Sequence, residues 1–372
     1  RSFHRAGHRV ILVEAAKYRL TGHRFSAAVD RFYTVPPPQS AEYAAALLEI
    51  VQREGVDVYV PVCSPAASYY DALAKPLLEP YCEVIHCDPE LIEVLDDKDR
   101  FCALAASLGL AVPDHHRITD PAQIAGFDFD AGTPPYILKS IPYDPVNRLD
   151  LTPLPRGSAT ETATFAASKP ISNATPWIMQ AFVAGTEYCT HSTVRAGRVT
   201  VHLCCESSAF QINYAMVERP EITEWVTTFV GALGLTGQVS FDFIQAEDGQ
   251  ILAIECNPRT HSAITMLYDH PDVARAYLED DALLVQPTET SRPTYWIYHE
   301  IWRLLTQPRT VRSRLRTIAR GKDAIFDWSD PLPFLMVHHL QIPALLWANL
   351  CQRKDWVKID FNIGKLVEAA GD

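Results

Sequence analysis

The sequence predicts an α/β fold that gives way to α+β: a doubly wound parallel sheet first, antiparallel hairpins next, and a mostly helical C-terminal stretch. Three observations carry this. Residues 9–95 alternate short apolar runs with helical stretches, the pattern of parallel strands joined by helices. From 177 to 257 the texture turns to longer strands broken by tight turns. Residues 291–372 bring a run of arginines and then an apolar stretch.

In chain order, Arg9–Glu14 (RVILVE) reads as a buried strand. Ser40 is placed to cap a helix through Tyr43–Glu54, which Gly55 ends. Val56–Val62 is a strand, Ser64-Pro65 an N-cap and first helical residue, Glu83–His86 a third strand, and Asp88-Pro89 opens a further helix. The first residues read as the end of a helix, so a preceding strand is expected to be missing. Asp97–Leu108 is a helix closed by Gly109, and Tyr136–Lys139 a strand inside a Pro-, Asp-, Thr- and Ser-rich region. Trp177–Val183 is a strand. Glu187–Arg195 and Arg198–Glu206 flank an Ala-Gly turn, Pro220–Leu233 is an amphipathic helix, and Val239–Ala246 and Gln250–Cys256 flank Glu-Asp-Gly. The domains expected are 1–96, 97–180, 181–290 and a C-terminal extension 291–372.

Composition narrows the class. Hydrophobic content of 48% and charged content of 21% fit a globular chain. A net charge of −12 argues against a nucleic-acid partner. The nine cysteines are scattered and never spaced as CxxC, so they give neither a disulfide framework nor a zinc site, and a reducing cytoplasm is expected. Two prolines and His338, His339, Gln341 and Asn349 interrupt the apolar run Pro331–Leu350, which argues against a transmembrane segment. No GxGxxG occurs, so the parallel sheet alone assigns no cofactor.

Chemistry concentrates in 238–262, QVSFDFIQAEDGQILAIECNPRTHS. If Asp248-Gly249 form a two-residue turn, Glu247 pairs with Gln250, 245 faces 252, and Asp242 faces Glu255. Alternation puts Phe241, Phe243, Leu252, Ile254 and Cys256 on the core face and Asp242, Glu255 and Asn257 on the other. Carboxylates directly opposite repel. At about 4 Å and an effective dielectric near 20 the cost is roughly 4 kcal/mol, which a cation between them relieves. Three oxygen donors suit Mg²⁺, and Arg259 is placed to meet phosphate oxygens. Taken alone, the pair also fits a solvated sheet face.

With its strand pair FDFI and LAIECNPR, the sequence resembles the ATP-grasp superfamily of ligases. The resemblance spans about 9–280. It implies an ATP-grasp fold in which two lobes clasp ATP, with Mg²⁺ on Asp242, Glu255 and Asn257, and catalytic roles for Arg259 and Lys139. It also implies that Lys98 (DDKDRF) and Lys139 (YILKS) hold nucleotide phosphates from the lobe facing the metal. In WIMQAFVAGTEY, Gln180, Ala181, Phe182 and Val183 offer backbone groups to adenine, and Glu187 takes the ribose. Singly, the lysines read as surface residues; their order with ECNPR decides. One departure stands out: the glycine-rich loop the superfamily carries after its second lysine is here SIPYDPVNRLDLTPLPRGSAT. Arg148, Asp150 and Arg156 are the polar groups to watch in it, Arg148 and Arg156 as substrate contacts. His261 and Ser262 are either acceptor contacts or a helix-capping pair.

That loop and the tail DPLPFLMVHHLQIP…KIDFNIGKLVE are similar to the mycosporine-glycine synthase family. This implies small-molecule substrates, the cyclic enolone 4-deoxygadusol and the amino acid glycine. The rivals are a carboxylate–amine ligase working through an acyl phosphate and a nucleotide-binding module without turnover. The basic segment 303–322 reads as a solvated helix face, a homodimer surface or a contact for anionic lipid.

Overall fold

The computed structural model describes residues 1–62, 67–129, 134–142, 144, 146–147, 150–207, 213–356, 358–361 and 364–367. The Ser64-Pro65 cap and Arg148 lie outside the described residues.

The N-terminal unit comprises α1 (Ser2–Arg5), β1 (Ile11–Ala15), β2 (Arg31–Val35), α2 (Tyr43–Glu54), β3 (Val58–Tyr59), α3 (Ser68–Leu78), β4 (Glu83–Val84) and α4 (Pro89–Asp96). β1 pairs with β2 and β3 with β4, both in parallel. Val35, Leu47, Ile50, Val51, Leu78 and Val84 close one core between these strands and α2 and α3. The parallel arrangement follows the alternation of strand and helix, but β2 was not anticipated: RFYTV precedes three prolines and lacks a clear apolar face. Gly55, at φ 61°, ends α2 as expected. The Ser40 hydroxyl accepts from the Glu42 amide (3.3 Å), a bend one turn before the helix rather than a true cap.

α5 (Lys98–Ser107) follows, capped by Asp97, whose carboxylate accepts from the amides of Asp99 and Arg100. A small antiparallel sheet of order β5–β7–β6 is built from β5 (His115–Ile118), β6 (Tyr136–Ser140) and β7 (Trp177–Ala181). It is backed by α6 (Pro121–Ala125) and α7 (Ala159–Ala167). The larger sheet takes β8 (Gly185–Arg195) and β9 (Arg198–Glu206). Next come β10 (Asn213–Tyr214) and α8 (Pro220–Leu233), then β11 (Gly237–Ala246) and β12 (Ile251–Asn257). Its order is β12–β11–β8–β9, antiparallel throughout. Ala196 and Gly197, at φ 47° and 79°, form the tight turn between β8 and β9. α8 packs its apolar face, Ile222, Trp225, Val226, Phe229 and Val230, on this sheet.

Phe101, Cys102 and Ala105 of α5 belong to the same core. The helix that sequence placed in the central lobe therefore packs with the large sheet, because its buried side chains meet Phe229 and Phe241 (ring centroids 5.7 and 5.9 Å).

After α9 (Val273–Leu278) the extension holds β13 (Thr294–Tyr295), α10 (Ile297–Thr306), α11 (Val311–Arg320) and β14 (Lys322–Asp323). It ends with α12 (Leu332–Met336), a π-helical turn at Val337–Gln341, α13 (Ile342–Gln352), β15 (Lys358–Asp360) and β16 (Lys365–Val367). Leu332–Gln352 is one continuous helix of 21 residues, long and apolar enough by length and composition to cross a membrane. The interruptions noted in the sequence do not break it: Pro333 and Pro343 each fall near the start of an α-helical segment, and the π turn absorbs the strain between.

Two predictions concern stability. Phe229 is fully buried and touches Phe101, Trp225 and Phe241; Phe229→Ala is expected to cost about 3–5 kcal/mol in denaturant unfolding. Burial holds His23, His202, His261 and His338 down to about 4 and His191 to about 3. The unfolded chain protonates these histidines near 6.5 and the folded one does not, so stability falls as pH drops from 6.5 towards 4. The raised carboxyls of Asp242, Asp96 and Glu300 pull the other way, and the five histidines outweigh them. A melting temperature that holds steady from pH 7.5 to 5 contradicts this.

Candidate active site

The β11–β12 hairpin brings Asp242 directly across from Glu255, as expected, by a different route. The turn has three residues, not two: Ala246 donates its amide to Gln250 (2.9 Å), and Gly249 takes φ 89°. Near the turn Gln245 therefore pairs with Ile251 and Phe243 with Ala253. A bulge then leaves Ile254 without a partner and restores the 242–255 register. The one-residue slip turns Ile251 and Ala253 into the core with Phe241, Phe243 and Cys256. Leu252, expected there, faces the other way, on the side that carries Asp242. Beneath the carboxylates Phe241 and Phe243 pack edge-on against Trp225 at 5.4 and 5.2 Å. That leaves the strand pair little freedom to shift.

Cations converge on the pair. The Lys98 ammonium is 3.5 Å from Glu255. Lys139, at the end of β6, donates to the Gln180 side chain (3.2 Å). Arg259 donates to Asn257 Oδ1 and lies 3.6 Å from Asp96. Lys98 does not come from the opposite lobe, as sequence implied: it starts α5, which packs on the large sheet, so it approaches from the same side as the carboxylate pair. Of the three cations, Lys139 is the one that reaches in from the small lobe.

The fields reflect this layout. Burial, then the charges of Glu255 and Glu187, push the Asp242 carboxyl up to about 7. Burial pushes Glu255 up too, but Lys98, Lys139 and Arg259 outweigh it and hold it below the usual range. Burial lowers the Lys139 ammonium against the pull of Glu255. A carboxylate made to hold its proton by burial and by a neighbouring carboxylate is what a divalent cation between the two would relieve. No three His, Cys, Asp or Glu side chains gather into a metal cage among the described residues. Two carboxylates and an amide leave room for phosphate oxygens and water, as Mg²⁺ prefers. Asn257 departs from expectation: its Nδ2 donates to Asp242 (3.4 Å) and its oxygen faces Arg259. A turn of the amide is needed before that oxygen serves a metal.

The adenine segment is also narrower than predicted. The amide of Ala181 donates to Asp114 (2.8 Å) and that of Phe182 to Pro135 (2.7 Å). Gln180 is buried, its side chain engaged with Lys139 and the Ile254 carbonyl. Those two amides are therefore engaged within the small sheet rather than open to a base. Glu187 stands on β8 two residues from Cys189, the partner of Asp242, and so shares its face.

Of the substrate candidates, His261 accepts from the Ala263 amide through Nδ1 (3.3 Å), the capping role, and its ring meets Tyr214 at 5.2 Å. Ser262 follows it and bonds Tyr214. Arg156 is exposed at the entry to α7, beside Thr160, Glu161 and Thr164, and is not among the groups gathered at the carboxylate pair. The proline-rich loop returns to β6: Tyr136 and Leu154 exchange backbone bonds of 2.9 and 2.7 Å. Asp150 pairs with Lys169.

Sequence reasoning missed the supports. Gln238 accepts from Thr260 and Tyr277 (2.7 Å each) and donates to the Pro61 carbonyl (2.7 Å). The Ser68 hydroxyl donates to the Pro258 carbonyl (2.8 Å). Both fix the turn that aims Arg259. Only the spacing of Gln238 from Asp242, four residues along one strand face, hinted at the first.

No protein-family model and no curated protein matches the chain. Solved structures do. The ADP complex of an N5-carboxyaminoimidazole ribonucleotide synthetase aligns at 15% identity with a TM-score of 0.57, over 78% of this chain and 75% of that one. The Staphylococcus aureus N5-carboxyaminoimidazole synthetase complexed with ADP gives 15%, 0.56, 78% and 76%. The biotin carboxylase domain of Hydrogenobacter thermophilus 2-oxoglutarate carboxylase, in complex with MgADP, ADP and bicarbonate, gives 15%, 0.55, 77% and 68%. The fold is ATP-grasp, with α/β and α+β parts.

Glu255→Gln is expected to keep the fold and lower ATP turnover by about two orders of magnitude or more. Full turnover in that variant sinks the metal assignment. Lys139→Ala is expected to raise the ATP concentration for half-maximal rate at least about tenfold; an unchanged value means the nucleotide lies elsewhere.

Proposed function

We propose that this chain is an ATP-dependent ligase that phosphorylates the enol oxygen of 4-deoxygadusol and couples glycine to the activated carbon. The observation that carries the ligase reading is the Asp242–Glu255 pair facing each other across one pair of strands, ringed by Lys98, Lys139 and Arg259. The fold likeness supports it: the similar structures named above include complexes with ADP and MgADP. The choice of acceptor rests on the loop after Lys139 and on the C-terminal tail.

The enolate of a cyclic enolone is a poor leaving group. Its oxygen attacks the γ-phosphorus, an O–P bond forms, the bond to the β-phosphate oxygen breaks, and ADP departs. The amine of glycine then adds to the ring carbon, phosphate leaves with the C–O electron pair, and the nitrogen loses a proton. Such transfer demands positioning and charge neutralisation above all. Asp242, Glu255 and a turned Asn257 would hold Mg²⁺, which would supply charge neutralisation on the triphosphate. Lys139 brings a cation from the small lobe and Lys98 one from beside Glu255. Arg259, aimed by Ser68 and Gln238, stabilises the phosphoryl group in flight. Free cysteines at eight described positions, seven of them buried, support a reducing cytoplasm as the location.

A carboxylate–amine ligase acting through an acyl phosphate is the second reading. It is favoured by the likeness to an N5-carboxyaminoimidazole ribonucleotide synthetase, and it uses the same residues.

ADP release measured with Mg–ATP and 4-deoxygadusol, with and without glycine, separates the two. Glycine-dependent turnover with a new long-wavelength ultraviolet band is the expected result. Turnover with a carboxylic acid and an amine, and none with the enolone, keeps the ligase and removes the enol chemistry.

A further inference from the structure

None of the groups assigned to the site lies after residue 290, yet the extension carries the largest exposed side chains of the molecule. α10 presents Ile301, Trp302 and Leu305, which are 40%, 62% and 76% exposed. Tyr298, one turn before Trp302 on the same face, stacks on Phe334 (5.8 Å), meets His338 (4.5 Å) and bonds His339 (3.1 Å). The apolar face of α10 thus adjoins the helix 332–352, whose own outer side shows Leu335, Trp347 and Leu350. Soluble monomers rarely leave so large an apolar surface open.

That helix does not have the partners of a spanning segment. Its inner side buries Val337, Gln341, Ile342 and Asn349. Gln341 accepts from the Gly22 amide (2.7 Å) and donates to the Gly364 carbonyl (2.9 Å). A helix crossing a bilayer has to break those buried bonds; one lying along its surface keeps them.

Charge points the same way. In a chain of net charge −12, residues 301–322 hold seven Lys and Arg and no Asp or Glu. Arg314 turns inward to the buried Glu300 (3.4 Å). Arg312, Arg316 and Arg320, spaced by four, fall in a row on the opposite side of α11, Arg309 lies in the 3-10 turn just before that helix, and all four are exposed. Among the described residues none of the four forms an ion pair with a carboxylate. Exposed tryptophans beside an unpaired arginine row match an interface of apolar chains and phosphate headgroups. Pairing with a second copy would instead bring two arginine-rich surfaces of like sign into one interface.

We propose that the C-terminal helices form a monotopic docking surface for an anionic membrane. Trp302, Leu305, Trp347 and Leu350 enter the headgroup layer, and Arg309, Arg312, Arg316 and Arg320 meet lipid phosphates. The test is flotation of the full chain with vesicles of phosphatidylcholine alone and of an equal mixture with phosphatidylglycerol, with tryptophan emission followed. Binding to the mixed vesicles, weakened by high salt and accompanied by a blue shift, is expected. Changing the four arginines to Gln should reduce partitioning by about two to three orders of magnitude, at roughly fivefold per arginine. W302S with W347S should abolish the blue shift while ATP turnover is retained. No binding to the mixed vesicles, or binding that neither set of variants alters, overturns the proposal. So does a dimer in solution that W302S with W347S converts to monomer, which would assign the face to a second copy.

Discussion

Two carboxylates held against each other across a strand pair set the terms for the rest of the molecule. Asp242 and Glu255 repel, and the strand pair itself answers them with no cation, only the Asn257 amide against Asp242. The chain surrounds them with Lys98, Lys139 and Arg259 and places an aromatic layer of Phe241, Phe243, Trp225 and Phe229 underneath. The layer keeps the strands from sliding apart to ease the repulsion. On the function proposed above, the pair is held ready for a doubly charged ion and a triphosphate. One carboxyl, Asp242, carries the strain as a raised proton affinity; the other, Glu255, is held ionised by the lysines and arginine.

Much of this was legible in the residues, and the exceptions are physical. Asp242 opposite Glu255 was readable because an Asp-Gly turn fixes a register, yet the predicted turn was a residue too short. A bulge at Ile254 compensated for it, so the register at the carboxylates was right and the strand face assigned to Leu252 was not. Bulges leave little trace in a sequence of alternating apolar residues. Lys98 was found, but its side of the cleft was not, because a helix on a domain border carries no mark of which core it joins. Gln238 and Ser68 were invisible for a different reason. They act through backbone carbonyls of Pro61 and Pro258, which any residue supplies.

The N-terminal unit does more than flank the site. Through Ser68 and Pro61 it grips the segment after β12 from behind, and the Arg259 guanidinium reaches Asp96 at its edge. The buried Lys75 ammonium adds bonds to the His86 carbonyl and Asp88 within the same unit. Parallel strands assigned no cofactor in the sequence, and in the structure they supply a footing for the loop that aims the arginine.

Gly237 shows how far that footing extends. At φ 147° it lies so close to the backbone of His86 and Cys87 that a Cβ there would sit 3.0 Å from the Cys87 amide nitrogen. The segment that follows β4 and the start of β11 thus meet main chain to main chain, with only the Cys87 sulfur beside the contact. Among the described residues, the three-stranded sheet that carries Lys139 shows no glycine in such close approach to a neighbouring backbone. If the cleft opens, the jaw expected to swing is the small sheet, with the rest of the molecule as the anvil.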